Sequence, residues 1–346
     1  MDARVVLAID GNSLVHRSYH AQARTGMHTV DGRPAWAVRG LLTQLVAAVD
    51  RIRPVAVVVG FDDPDRSERR ERLPQYKAHR AEKLETLVEQ LAAAVEVLRS
   101  IGIHVVVPGG LEADDVLAST AHCARECGAT TVVVTSDRDA FALIDDDTTV
   151  LRIVNGGVEA SPMMTAERLV MLLGVRPDQY RDYAALRGDP SDNLPGVRGI
   201  GSRTAALLLA EFGTAPAVFA DLDRVRTRFG AGVANRLAAP DAFANWERNC
   251  QVMAMRRDVP VGLDLVAGPG RLPLDPDKVS AAFHAQQLTW TARQAVQVLA
   301  DVDQPPPSPA AWPDHASWAD NWAARTGPRL PKLPPRKPAM AQLSLF

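Results

Sequence analysis

Thr131-Val132-Val133-Val134-Thr135-Ser136-Asp137-Arg138-Asp139 is a β-branched run that delivers two carboxylates at its carboxyl end. The pattern occurs twice more: Val5-Val6-Leu7-Ala8-Ile9 runs into Asp10, and Val55-Ala56-Val57-Val58-Val59-Gly60-Phe61 runs into Asp62. Glu112, Asp114 and Asp115 open a helical stretch, and Asp189 and Asp192 lie in a Gly/Pro turn. In a parallel sheet, groups at the carboxyl ends of the strands meet at one crevice. So many acids cannot share a crevice while ionised unless cations neutralise them. A site for more than one divalent metal is therefore expected. Each cluster also has an ordinary reading. Asp114 and Asp115 suit the positive end of a helix dipole, Asp10 before Gly11-Asn12 suits a turn, and Asp189 can cap the turn at Pro190. Five clusters in register with strand ends and a helix start argue against five separate coincidences.

Working outward, residues 1–160 alternate strand and helix signals. Helical spacing is found near 34–52, in the stripe Leu84, Leu87, Val88, Leu91, Val95 and Leu98, and from about Ala113 to Cys127. A further strand covers Ile103–Val107, and a hairpin around Asn155-Gly156-Gly157 should carry two short strands. This alternation implies an α/β domain with a mostly parallel central sheet and helices on both faces. From 161 to 300 the pattern is helical with turns, a second and smaller region. Residues 301–341 are proline-rich and read as a mostly extended linker, with Trp312, Trp318 and Trp322 in a stretch of unassigned purpose.

Composition narrows the classes. The chain has 346 residues, 39 basic against 41 acidic, a net charge of −2 and 47% hydrophobic residues, as in ordinary soluble proteins. Setting the clustered acids aside leaves the remaining surface basic, which suits metals at a scissile phosphate and cations along a nucleic-acid backbone. No apolar run is long enough to span a bilayer and no secretion signal opens the chain, so a cytoplasmic, nucleoid-associated monomer is expected. Three cysteines, two of them spaced Cys123-x-x-x-Cys127, form neither a disulfide framework nor a zinc site.

Three further motifs carry chemistry. Leu194-Pro195-Gly196-Val197-Arg198-Gly199-Ile200-Gly201-Ser202-Arg203-Thr204-Ala205 reads as a helix-hairpin-helix over 186–212. Its glycines let backbone approach a phosphate, and the N–H groups opening the next helix point at it. Residues 64–85 are rich in cations, Arg69, Arg70, Lys77, Arg80 and Lys83 among them, with Tyr76 offering a stacking surface for an unpaired base. Gln342-Leu343-Ser344-Leu345-Phe346, after the proline-rich spacer, suits an extended peptide docking into apolar pockets.

Ile9-Asp10-Gly11-Asn12-Ser13, Phe61-Asp62, Tyr76-Lys77-Ala78-His79-Arg80, Leu111–Ala118, Thr135–Asp139 and Arg187–Val197 together resemble the bacterial 5′ nuclease family. That family comprises flap endonucleases and the 5′ nuclease domain of DNA polymerase I, and the resemblance runs in order over about residues 3–300. It implies a PIN-like nuclease domain followed by a helix-3-turn-helix region that binds duplex, with a potassium ion at the hairpin. It implies two or three Mg²⁺ or Mn²⁺ ions, one group served by Asp10, Asp62, Glu112, Asp114 and Asp115, the other by Asp137, Asp139, Asp189 and Asp192. It places a helical arch near 64–85, with Lys77 and Arg80 contacting the scissile phosphate. It marks Gly196, Gly199, Gly201, Ser202, Arg203 and Thr204 as duplex contacts, and Arg17 as a weaker one. The family usually carries lysine where this chain has Arg203, and a proline-containing stretch after the position of Arg80. The terminal peptide 342–346 is similar to those that bind the bacterial sliding clamp. The activity implied is cleavage of 5′ flaps and nicked DNA, removing RNA primers and flaps in replication and repair, by a free-standing enzyme. A non-catalytic, clamp-tethered branched-DNA-binding protein should have lost acidic ligands, and none is lost. A PIN-type ribonuclease should lack the long helical region.

Overall fold

A computed structural model describes residues 4–301. The proline-rich stretch beyond 301 and the peptide Gln342–Phe346 lie outside the described residues. The chain opens β1 Val5–Asp10, α1 Gly11–Gln22, α2 Trp36–Ile52, β2 Ala56–Gly60, α3 Glu68–Arg72, α4 Glu85–Ser100, β3 His104–Val106, α5 Ala113–Glu126, β4 Thr130–Thr135, β5 Thr148–Arg152 and β6 Met163–Met164. Helices α6 Ala166–Leu173, α7 Pro177–Arg187, α8 Ser202–Phe212, α9 Ala215–Ala220, α10 Leu222–Phe229, α11 Ala231–Leu237 and α12 Ala242–Val252 follow. The two-residue strands β7 Gly188–Asp189 and β8 Leu194–Pro195 sit between α7 and α8, and α13 Pro276–Ala285 and α14 Thr289–Ala300 come last.

The six-stranded sheet runs β3-β2-β1-β4-β5-β6. All pairs are parallel except the antiparallel β5–β6 edge. β1 pairs on one side with β2 and on the other with β4, so the strand order reverses around it. A sheet leaves its crevice at the carboxyl end of such a switch point. Asp10 lies beside Gly60 in register, one residue beyond the Ile9–Val134 pair, and so stands on the lip of that crevice.

Strand side chains alternate between two cores. Leu7, Ile9, Val57, Val59, Val132 and Val134 pack with α2 and α4 on one face. Ala8, Val133 and Val150 face the other way, against Leu117 of α5 and, continuously, Tyr180 and Ala184 of α7. The helical region is thus bolted to the sheet through one shared core. The stretch read as one helical region, 161–300, splits in its packing. Val279, Phe283, Ala295 and Leu299 of α13 and α14 return to the α2–α4 side of the sheet.

Two local expectations change. The 64–85 stretch is not a helical arch: before α4 begins at Glu85 only Glu68–Arg72 is helical, and 73–84 has no regular secondary structure. All five residues of α3 are charged, so it lacks the apolar stripe that sustains a longer helix. The turn at 155–157 does not join two strands directly. β5 and β6 do pair, Val150 with Met164, but across a ten-residue connection.

Candidate metal and nucleic-acid site

The carboxylates gather where the sheet topology places them. Asp10 is buried at the end of β1 and caps α1, accepting from Ser13 N at 2.8 Å and Thr135 Oγ1 at 2.8 Å. Burial, together with the charges of Asp62 and Asp137, pushes its pKa up to about 7, against the lowering effect of its two hydrogen bonds. Asp62 accepts from Ala113 N at 2.9 Å and from Asn12 Nδ2 at 2.9 Å, while Asn12 Oδ1 accepts from Asp62 N at 2.9 Å. Burial raises Asp62 also, helped by the charge of Glu112. Asp114 and Asp139 are pushed well above the usual carboxylate range, by burial first and by Asp137 next. Asp192 is raised by burial and by Asp137 and Asp189, with Lys77 and Arg80 opposing. The charge of Asp137 is therefore felt by Asp10, Asp114, Asp139 and Asp192, which stand on four different segments of chain.

Three cations of 64–85, namely Arg69, Lys77 and Arg80, fold down onto this cluster. Lys77, held at φ 55° with its N–H on the Asp192 carbonyl, places Nζ 2.9 Å from Glu112 Oε2 and 4.0 Å from Asp192 Oδ2. Arg80 Nη2 reaches Asp192 Oδ1 at 2.5 Å. Burial works to raise Glu112, but Lys77 and Arg69 beside it bring its pKa below the ordinary value. Tyr76 is not a stacking surface for a base. It is buried among Leu73, Leu194 and Val252, its hydroxyl donates to Glu112 at 3.1 Å, and Lys77 Nζ covers the ring at 4.7 Å from the centroid. Arg69 is likewise not an open backbone contact: it is half-buried, its guanidinium turned onto Asp115 and Glu112. Arg70 and Lys83 are exposed. Arg17 donates to Asn155 Oδ1 at 2.9 Å.

Asp115 departs from the expected ligand set. It is fully buried, and each carboxylate oxygen already accepts two hydrogen bonds. Asp189 stays beside the cluster, where its Oδ1 caps the 190–192 turn through Ser191 N and Oγ at 2.7 and 2.6 Å. A cleft joins Asp114, Asp139 and Asp192, with Met253 and Met255 on its apolar wall. Among the described residues, no group of three or more acidic, histidine or cysteine side chains is gathered tightly enough to hold one ion in the arrangement seen. Glu112 and Asp192 are instead drawn toward Lys77 and Arg80. As a donor set, the cluster is all oxygen and anionic, which fits hard divalent ions.

The helix-hairpin-helix consists of α7, the β7–β8 pairing and α8. Its glycines divide by role. A Cβ at Gly196 would meet the carbonyl carbon of Arg187 at 2.3 Å, so this glycine lets the hairpin close on α7. A Cβ at Gly201 would meet nothing within 4 Å, and Gly201 opens α8 without a side-chain cap. Ser202 and Arg203 are exposed there and Thr204 is half-buried. Gly199, at φ 76°, passes its carbonyl to Arg236 at 3.2 Å. Asn249, fully buried on α12, locks the turn by donating to the carbonyls of Ala185 and Pro195 at 3.1 and 2.9 Å. We expect Gly196→Ala to cost about 1–3 kcal/mol of stability. Gly201→Ala should fold normally yet weaken binding to duplex DNA; chemical denaturation beside a binding titration checks both.

Residues 5–172 match the model described as 5′-3′ exonuclease, N-terminal resolvase-like domain, and residues 175–272 match 5′-3′ exonuclease, C-terminal SAM fold. The chain belongs to the 5′-3′ exonuclease family. DNA polymerase I of Mycobacterium tuberculosis is 37% identical over 271 residues, covering 78% of this chain and 29% of the polymerase. The enzyme of Thermus aquaticus is 34% identical over 307 residues, 88% of this chain and 35% of that one. The chain thus spans about a third of the length of these relatives. In fold it is similar to bacteriophage T5 5′-exonuclease with divalent zinc bound, at a TM-score of 0.57 and 18% identity over 86% of this chain and 100% of that one. It is similar also to the catalytic core of Rad2 in complex with DNA substrate, at 0.55 and 17% over 86% and 91%.

Within this exonuclease fold, several site-shaping residues were not singled out from the sequence. Asn12 fixes Asp62 from α1, Thr135 fixes Asp10 from the neighbouring strand, and Ser13 and Ser136 join hydroxyls at 2.5 Å across the crevice. Asn12, Ser13, Thr135 and Ser136 each lie within three residues of a noted aspartate, which was the available signal. Asn249 and the 252–256 segment had none, since they reach the site only through tertiary packing.

Proposed function

We propose that this exonuclease-family chain is a metal-dependent, structure-specific 5′ nuclease that cuts DNA phosphodiester bonds at 5′ flaps and nicks. The observation that carries the proposal is the convergence of Asp10, Asp62, Asp114, Asp139 and Asp192 around Asp137 at the carboxyl edge of the sheet, where burial and neighbouring carboxylates disfavour the ionised forms of those five. Two or three Mg²⁺ or Mn²⁺ ions would be held by these acids with Glu112, and would supply activation of water and neutralisation of charge on the leaving oxygen. Asn12 and Thr135 hold Asp62 and Asp10 in place. Lys77 and Arg80 act as internal counter-ions in the free protein and turn to the scissile phosphate when DNA arrives. The first turn of α8, with exposed Ser202 and Arg203 and half-buried Thr204, grips a duplex phosphate by its N–H groups, a potassium ion assisting at the hairpin. The product carries a 5′-phosphate, which suits removal of primers and flaps in replication and repair. A sliding clamp is the proposed partner of Gln342–Phe346, and the enzyme works as a cytoplasmic monomer.

Labelled 5′-flap, nicked and single-stranded DNA, offered with Mg²⁺, Mn²⁺ or chelator, tests the reading. Flap and nick cutting with either ion and none with chelator is expected; hydrolysis persisting in chelator overturns it. Lys77→Met should lower kcat about 10²-fold, the scale of losing one preorganised charge at a reacting centre. Arg203→Ala should weaken binding across sequences and reduce the salt slope by about 1. A binding isotherm in chelator, read at several salt concentrations, separates the two effects.

A further inference from the structure

Arg69 and Asp115 form a buried junction between three segments. Asp115 Oδ1 accepts from Arg69 Nη2 at 2.8 Å and from Arg256 N at 2.9 Å. Its Oδ2 accepts from Arg69 Nη1 at 2.8 Å and from Glu112 N at 3.1 Å. A carboxylate offers about four lone-pair sites, and all four are occupied. Arg69 spends its remaining donors on the Val252 carbonyl at 2.9 Å and the Ala254 carbonyl at 3.1 Å, and it also lies 3.3 Å from Glu112. The pair therefore ties α3, the first turn of α5 and the segment after α12 to one another. Asp114, the next residue along, belongs to the repelling cluster instead. Neighbours on a helix point about 100° apart, and with Asp115 turned onto Arg69 it is Asp114 that lines the cleft.

We propose that Asp115 is a positioning residue rather than a metal ligand, and that Arg69 is its partner rather than a DNA contact. Together they brace the start of α5 so that Glu112 and Asp114 face the crevice. Arg69 does this by clamping Asp115 with a two-pronged guanidinium and touching Glu112 from the same side. The brace also fixes the Met253–Met255 wall opposite Asp114, through the carbonyls and the Arg256 N–H that flank it. This assignment rests on the nuclease reading for its kinetic consequences, but its structural half stands without it.

Melting of the full chain in chelator at pH 8 separates the two roles by sign. Removing a carboxylate from a repelling cluster relieves the fold, whereas removing one that neutralises a buried guanidinium leaves that charge stranded. An Asn side chain at 115 would also set an N–H₂ group against two donors. We expect Asp115→Asn to lower Tm by at least about 5 °C. Asp114→Asn, the control, should hold Tm or raise it. If Asp115→Asn proves too unstable to purify, Arg69→Lys keeps the charge but loses the fork. It should lower Mg²⁺ affinity, read by calorimetry, about 10-fold, the scale of disturbing a group that supports metal ligands. Its kcat on flap DNA should fall about as much, with KM within about threefold of the parent. The double variant Arg69→Met with Asp115→Leu should recover most of the melting loss, because an apolar pair of like volume replaces the buried ions. Asp115→Asn melting higher than the parent in chelator overturns the proposal, and so does Arg69→Lys raising KM with kcat and Mg²⁺ affinity unchanged. Failure of the parent itself to cut flap DNA would refute the nuclease reading while leaving the melting result intact.

Discussion

Asp114→Asn should reduce flap cleavage on the order of 10³-fold at saturating Mg²⁺ while leaving DNA binding in chelator unchanged or tighter. The loss follows from position. Asp114 stands in the first turn of α5, in the cleft shared with Asp139 and Asp192, and no hydrogen bond engages its carboxylate among the described residues. Its pKa is held well above the ordinary value by burial and by Asp137 and Asp10, so its ionised form is at home only beside a cation. An Asn keeps the shape but removes the charge that would hold that cation, and charge neutralisation at the reacting phosphate is the largest contribution such a site makes. DNA binding in chelator moves the other way, because one negative charge near the phosphates has gone. Single-turnover cleavage beside a binding isotherm measures both. Cleavage within about tenfold of the parent would take Asp114 out of the site.

How much of this was legible beforehand depends on whether the signal was local. Asp10, Asp62 and Asp137 were legible because a strand has a two-residue period and ends where its β-branched run ends. Parallel pairing then placed those ends together, and the observed register, Ile9 against both Val59 and Val134, does so. The surroundings of Asp115 were not legible, because clustering along the chain does not say which neighbours a side chain meets in space. Its partner in the fold, Arg69, is 46 positions away. Tyr76 was misread for a related reason. A charged run suggests a solvated face, yet Leu73 and Tyr76, three apart, turn inward onto Leu194 and Val252, and no periodicity in 64–85 announces that. The return of α13 and α14 to the α2–α4 face is equally invisible locally, since an amphipathic helix records that it packs, not against what.

In chelator the protein should be more stable at pH 5 than at pH 8 as far as this cluster is concerned, and Mg²⁺ should cancel the difference. Asp10 has an ordinary value of 3.8 and a folded value of about 7. A carboxyl raised on folding binds more protons in the folded chain than in the unfolded one. Its stabilising contribution is therefore complete below about pH 4 and is lost as pH climbs through about 7. Asp62, Asp114, Asp139 and Asp192 are raised as well and act with the same sign. Glu112 alone in the cluster opposes them: Lys77 and Arg69 outweigh burial and lower it, so its contribution is present at high pH and lost in acid. Five raised groups against one lowered give a net loss on going from pH 5 to pH 8. A divalent ion binds the ionised carboxylates and not the protonated ones, so its stabilisation grows over the same window. An ion at one hundred times its dissociation constant adds about 2.7 kcal/mol. The Mg²⁺-induced rise in Tm should thus be several degrees at pH 8 and near zero at pH 5. Taking the difference between samples with and without Mg²⁺ at each pH removes the titration of every surface group the ion does not touch. Equal shifts at the two pH values would mean that the carboxylates are already ionised without a cation, and the electrostatic basis of the site would be wrong.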